Sequence, residues 1–188
     1  MTRRLEMGKY SFGNSHPLFK RKRVIVIAAE GEITEPQYFS RLNSMSQSTV
    51  IVMVPNWGNG SDPKAVLKRM EKYLRENPLE GNDEAWIVLD QDEWPEEKLE
   101  KVSDWASRSN RHFALSIRRF EDWLRLHVEG DPTAQRKYQS LIQGKDKHIP
   151  DDFVTKNRIM AAAEKAERLF GTKKSVGNVF QLIKTFFQ

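Results

Sequence analysis

The 188-residue chain contains no cysteine. Disulfides, thiolate zinc sites and cysteine nucleophiles are excluded together. No apolar run approaches the roughly 20 residues of a bilayer span, and the opening residues lack the apolar stretch of a secretory signal, so a cytoplasmic protein is expected. Histidine is scarce, at four residues, and no two stand at metal-ligand spacing. Walker and Gly-x-Ser-x-Gly patterns are missing too, which leaves ATP hydrolysis and serine chemistry without support. No internal repeat or low-complexity tract interrupts the chain. A hydrophobic share of 38% beside 30% charged residues is nevertheless enough to build a core.

The net charge of +5 is unevenly spread. Residues 1–23 carry seven Lys/Arg against one Glu, and residues 134–188 carry eleven against five. The middle, residues 24–133, has thirteen against twenty. Basic ends around an acidic middle suit a metal-dependent enzyme acting on a polyanion. Read more plainly, each basic end is solvated surface.

Two apolar runs end in acidic clusters. Val24 to Ala29 leads into Glu30-Gly31-Glu32, and Ala85 to Leu89 leads into Asp90-Gln91-Asp92-Glu93. Runs without alternation read as strands covered on both faces, as in parallel sheets. Ligands of such sheets bind beyond the strands' carboxyl ends, so Glu30, Asp90 and Asp92 are expected to converge there around a hard divalent cation. An Asp-x-Asp alone is a weak signal; its place at the end of a buried strand strengthens it.

Further strands are expected at Val50–Val54 and His112–Ser116. Gly31 suits a sharp turn at positive φ, and Thr34 with Gln37 reads as a capping box opening a helix. Asp62-Pro63 opens another helix, with Val66, Leu67, Met70, Tyr73 and Leu74 at helical spacing, and Pro95 a third. The order βαβαβαβ with right-handed crossovers predicts a doubly wound, mainly parallel four-stranded α/β sheet with helices on both faces. Beyond Phe120 the pattern is helical, with further helices at Ala134–Ile142, Asp152–Phe170 and Ser175–Phe187. The expected organisation is a basic arm (1–23), an α/β core (24–130) and a helical extension packed on it (131–188).

Other residues bear on a phosphate-handling site. Arg118 and Arg119 follow the fourth strand and suit a developing phosphate charge. Glu121 reads equally as a further metal ligand or as an acidic first-turn residue. Glu35 belongs more simply to its helix start, whereas Glu32 lies in the turn. Lys20, Arg21, Lys22 and Arg23, the loop residues Lys145, Lys147 and His148, and Trp57 are candidate nucleic-acid contacts, with Trp94 a second tryptophan able to stack on a base. His127 shares a stripe with Phe120, Trp123 and Leu124, so a packed histidine is the first reading.

The element Glu30-Gly31-Glu32-x-Thr34-Glu35-Pro36-x-Tyr38-Phe39, then Leu89-Asp90-x-Asp92, then Ala114-Leu115-Ser116 followed by Phe120-Glu121-x-Trp123-Leu124-x-Leu126-His127, resembles the RloB-like proteins. Arg158-x-x-Ala161 with Ala166, and Val176 to Ile183, are similar to that family's tail. The resemblance implies a Toprim-like core, a setting near restriction-modification and phage-defence loci, and an ATPase partner. It implies proton transfer by Glu30 and Mg²⁺ (or Mn²⁺) on Asp90 and Asp92. One departure stands out: Ile117-Arg118-Arg119 replaces the family's usual Asn-Pro-Cys. The leading expectation is a metal-dependent nuclease acting on RNA, tRNA included, or DNA. The alternatives are a non-catalytic module binding nucleic acid or an ATPase, and a phosphatase or nucleotidyl transferase on a small substrate. A homodimer is compatible with any of them.

Overall fold

The computed structural model describes residues 21–56, 60, 62–91, 94, 96–143 and 148–188. Lys20, Trp57, Asp92, Lys145 and Lys147 therefore lie outside the described residues. Four strands, β1 (Arg23–Ala29), β2 (Thr49–Met53), β3 (Glu84–Gln91) and β4 (Arg111–Ile117), form one sheet in the order β2-β1-β3-β4, every pair parallel. This is the doubly wound, Toprim-like α/β arrangement anticipated from the two unalternating apolar runs.

Strand periodicity explains how one sheet serves two cores. Ile25, Ile27, Trp86, Val88 and Ala114 face one side, where α1 (Thr34–Leu42), α4 (Phe120–Val128), α5 (Pro132–Gln143), α6 (Lys156–Leu169) and α7 (Val179–Phe186) contribute to a single cluster. Val26, Ala28, Ala85, Ile87 and Leu89 face the other, against α2 (Pro63–Glu76) and α3 (Glu96–Ala106). Tyr38 of α1 packs edge-on against Phe120 of α4, and Phe39 meets the same ring at a tilt. Burying each such side chain contributes about 1.5–3 kcal/mol. No helix among the described residues is long and apolar enough to cross a membrane.

Local signals were realised unevenly. Asp62 caps α2 as expected, its carboxylate accepting from the Lys64 and Ala65 N–H groups at 2.8 and 3.0 Å, with Pro63 in the first turn. The Thr34–Gln37 capping box does not form. Ile33 takes the N-cap position, Thr34 donates to Glu121 at 3.3 Å, and Gln37 accepts the Ile149 N–H at 3.1 Å. Tertiary partners outcompete the local bonds. The expected helix at Asp152–Phe170 divides into a tight turn, Asp151–Phe153, and α6, which Thr155 caps. The one expected at Ser175–Phe187 begins only at Val179. Its first residues bridge the edge of β4 instead: Ile117 N–H donates to Val176 O, and Asn178 N–H to Leu115 O. Gly177, at φ +103°, permits this, since a Cβ there would stand 1.8 Å from Leu115 O.

Candidate functional site

In this strand order β1 leads by way of α1 to β2 on one side, while β3 and β4 lie on the other. The crevice beyond the carboxyl ends of β1 and β3 is thus the topological switch point of the sheet. Glu30 leaves β1 there, and Asp90 follows Leu89, the last buried residue of β3. The two meet although sixty residues apart: Asp90 N–H donates to Glu30 Oε2 at 3.1 Å. Glu30 N–H in turn donates to Val88 O at 3.0 Å, which carries the ladder one residue past β1.

Asp90 stands at the centre of this rim. The Phe120 N–H, at the first turn of α4, donates to its carboxylate, so the positive end of a helix dipole faces it. Its pKa is nonetheless pushed up to about 8. Burial is the main cause, followed by the negative fields of Glu35 and Glu30, with a smaller contribution from Glu121. Asp90 Oδ1 is sealed from solvent and has no hydrogen-bond partner among the described residues. Thr34 Oγ1 ties Glu121 to the start of α1 at 3.3 Å, which keeps this fourth carboxylate at the same rim.

Gly31 is needed for a different reason from the one expected. Its φ is not positive. A Cβ there would lie 2.0 Å from Glu35 Oε2, because the Glu35 carboxylate folds back over the turn and accepts the Gly31 N–H at 3.0 Å. Glu35 is only 5% exposed. Glu35 does stand in the first turn of α1, as expected, but that reading left out its field on Asp90; the pointer in the sequence was a glycine four residues before a glutamate in an acidic turn. Arg69 was also missed. Its Nη2 donates to Ala29 O at 2.7 Å, which braces β1 one residue before Glu30 from the opposite face.

A hard cation fits this donor chemistry: carboxylate oxygens held close against their mutual repulsion, with one buried oxygen unmet. Among the described residues no group of three His, Asp or Glu is already arranged to hold a metal. Asp92, the expected third ligand, lies outside them.

The expected phosphate contacts are dispersed. Arg118, at φ +76°, turns its exposed side chain toward Asp122, with Nε to Oδ2 at 3.4 Å. It lines a basic cavity with Arg125, Lys165, Lys173 and Lys174. Arg119 is exposed in extended backbone just before α4. Arg21 makes paired bonds to Asp83 at 2.9 and 2.6 Å, and Arg23 pairs with Glu84. Both of these serve the amino-terminal edge of the sheet, opposite Glu30, and Lys22 is exposed beside them. His148 is exposed on a loop held to α1 by Arg41, whose Nη2 and Nη1 donate to Ile149 O and Pro150 O.

Trp94 is half-buried with the Lys98 ammonium 4.6 Å from its ring centroid, so one face is already covered by a cation. His127 is a core residue: Tyr38 O–H lies 3.0 Å from Nε2, and Nδ1 lies 3.1 Å from Trp123 O. These partners define a neutral ring with Nδ1–H donating. Burial, the first cause, depresses its pKa to about 4.

Residues 25–186 match the family model described as RloB-like protein. No curated protein and no solved structure matches the chain.

Proposed function

The chain belongs to the RloB-like family, and on that premise we propose that it is a metal-dependent nuclease of Toprim type, hydrolysing phosphodiesters of RNA, tRNA included, or DNA in antiphage defence. The observation that carries this reading is the contact of Glu30 with the Asp90 backbone at the switch point, where further carboxylates gather. A structural rim does not require negative charges to be concentrated around a buried, unsatisfied oxygen. A site for a cation and a phosphate does.

Asp90 and Asp92 are the residues that would hold Mg²⁺ or Mn²⁺, with Glu121 as a further ligand. Such an ion supplies positive charge to the phosphate oxygens and acidifies the attacking water. Glu30, which accepts the Asp90 N–H, would act as the base that takes the proton of the attacking water. The first turn of α4 adds a fixed dipole toward the charge that develops. Arg118 and Arg119, in the turn between β4 and α4, hold substrate phosphates outside the carboxylate cluster. An ATPase partner that restrains the enzyme until infection completes the proposal and rests on the family resemblance alone.

The test is incubation of purified protein with mixed RNA and DNA in Mg²⁺, in Mn²⁺ and in EDTA. Cleavage that EDTA abolishes and Asp90→Ala removes is the expected result; equal cutting by the variant sinks the assignment. A second reading, a binding module with an inert centre, draws on the lack of a three-ligand group among the described residues. It requires nucleic acid to be held equally well in EDTA and left intact in Mg²⁺.

A further inference from the structure

The acidic balance of residues 24–133 conceals a basic helix. Lys64, Lys68, Lys72 and Arg75 recur at intervals of four, four and three along α2, so they share one face. All four are exposed, and none forms an ion pair among the described residues. At 1.5 Å per residue the row spans about 16 Å. These side chains line a cavity of about 500 Å³ whose inner wall includes Arg69.

Arg69 supplies an independent observation. It is 8% exposed, and while Nη2 is engaged by Ala29 O, both Nε and Nη1 are buried without an acceptor. A guanidinium with unmet N–H groups behind a row of ammonium groups is a donor set for phosphate oxygens. Burial lowers its pKa and the field of Glu32 opposes that, so it lies electrostatically close to the acidic turn after β1.

Resting on the nuclease reading for the class of substrate, we propose that the α2 face formed by Lys64, Lys68, Lys72 and Arg75, backed by Arg69, is the track along which the phosphates of a single-stranded nucleic acid run toward the Glu30–Asp90 rim. Two features set the direction. The helix begins at the carboxyl side of β2, and Asn56, in the connection before it, reaches the Glu30 carbonyl at 3.5 Å through Nδ2. Arg69 fastens the same helix to Ala29, immediately before Glu30. A row one cation per turn long matches a repeating anion better than a lone phosphate, and about 16 Å is more than one nucleotide small molecule needs.

The experiment measures binding of a short fluorescein-labelled single-stranded RNA, and of the same sequence as DNA, by anisotropy in EDTA from about 50 to about 200 mM salt. Lys64→Ala/Lys68→Ala/Lys72→Ala is compared with wild type and with Lys156→Ala/Arg168→Ala, which removes two exposed cations of α6 outside the cavity that Arg118 lines. The α2 variant is expected to lose about tenfold or more in affinity and to flatten the log K against log salt slope by about 2, at about 0.7 per phosphate contact for single strands. The α6-side variant keeps the larger slope. Absence of binding by wild type, an unchanged slope in the α2 variant, or an equal loss in both variants overturns the track. RNA and DNA binding that survives the α2 changes does so as well, and points those lysines to an acidic protein. A parallel cleavage assay with Mg²⁺ separates the two ideas: slope loss without any cleavage by wild type defeats only the nuclease, and cleavage with an unaltered slope defeats only the track.

Discussion

Replacing Asp90 by Asn probes the centre of the rim with no need to know the substrate. In the metal-free protein the Asp90 pKa is pushed up to about 8, against 3.8 for an unperturbed carboxyl. The folded protein then retains a proton that the unfolded chain has released at every pH between those values. Stability contributed by this proton is present below about pH 4 and is lost as the pH rises through about 8. The separation of 3.8 from about 8, at 1.36 kcal/mol for each tenfold change in proton affinity, sets a ceiling of about 6 kcal/mol. The residue is half-buried, and water screens the neighbouring carboxylates, so about 3 kcal/mol is the working figure.

Asparagine has the same shape, keeps a carbonyl for the Phe120 N–H, and carries no charge to repel Glu30 and Glu35. In EDTA at pH 8 the variant is therefore expected to be more stable than wild type by about 3 kcal/mol, or about 6–12 °C in Tm for a chain of this size. The gap closes toward pH 4. Adding Mg²⁺ raises the wild-type Tm, by about 2.7 kcal/mol of stability at a hundredfold excess over Kd, and leaves the variant unmoved. Thermal unfolding followed by circular dichroism at several pH values, with and without Mg²⁺, reads all of this. A variant less stable than wild type at pH 8 in EDTA, or equal pH slopes in the two proteins, refutes the reasoning.

Glu30→Gln keeps the bond from the Asp90 N–H but removes the proton acceptor, so cleavage is expected to fall by about a hundredfold or more with Tm changed little; single-turnover rates check it. His127, with its pKa near 4, stays neutral in the folded state while the unfolded chain protonates near 6.5. Stability from this residue is present above pH 6.5 and lost as the pH falls through about 4, up to about 3 kcal/mol; urea unfolding at pH 7 and pH 5 should show a decline that His127→Gln reduces. Gly31→Ala drives a Cβ into the Glu35 carboxylate and should lower the nuclease rate and the Mg²⁺-dependent rise in Tm together. Gly177→Ala combines a positive φ with a clash on the Leu115 carbonyl and should cost about 2–4 kcal/mol of stability, measured by denaturant titration.

What was legible beforehand divides along a physical line. The pairing of Glu30 with Asp90 followed from two apolar runs with no polar alternation, because such strands must lie inside a parallel sheet and their ends must share a rim. That inference needed only burial and connectivity. Arg118 required more: its place depends on a left-handed backbone at φ +76°, which aims the side chain at Asp122. Glu35 needed the knowledge that Gly31 clears space for a returning carboxylate, and Thr34 that Glu121 would be nearer than any cap. Val176 to Asn178 follow helical spacing into Val179 and Phe180, yet the open edge of β4 offers them backbone bonds that a helix start does not. The basic row on α2 was concealed by arithmetic of another sort, since summing charge over residues 24–133 cancels what one helix face separates. Charge counted by face would have exposed it, because an ammonium acts on what lies across its own surface within about 8–10 Å, the screening length in physiological salt, and not on the segment average.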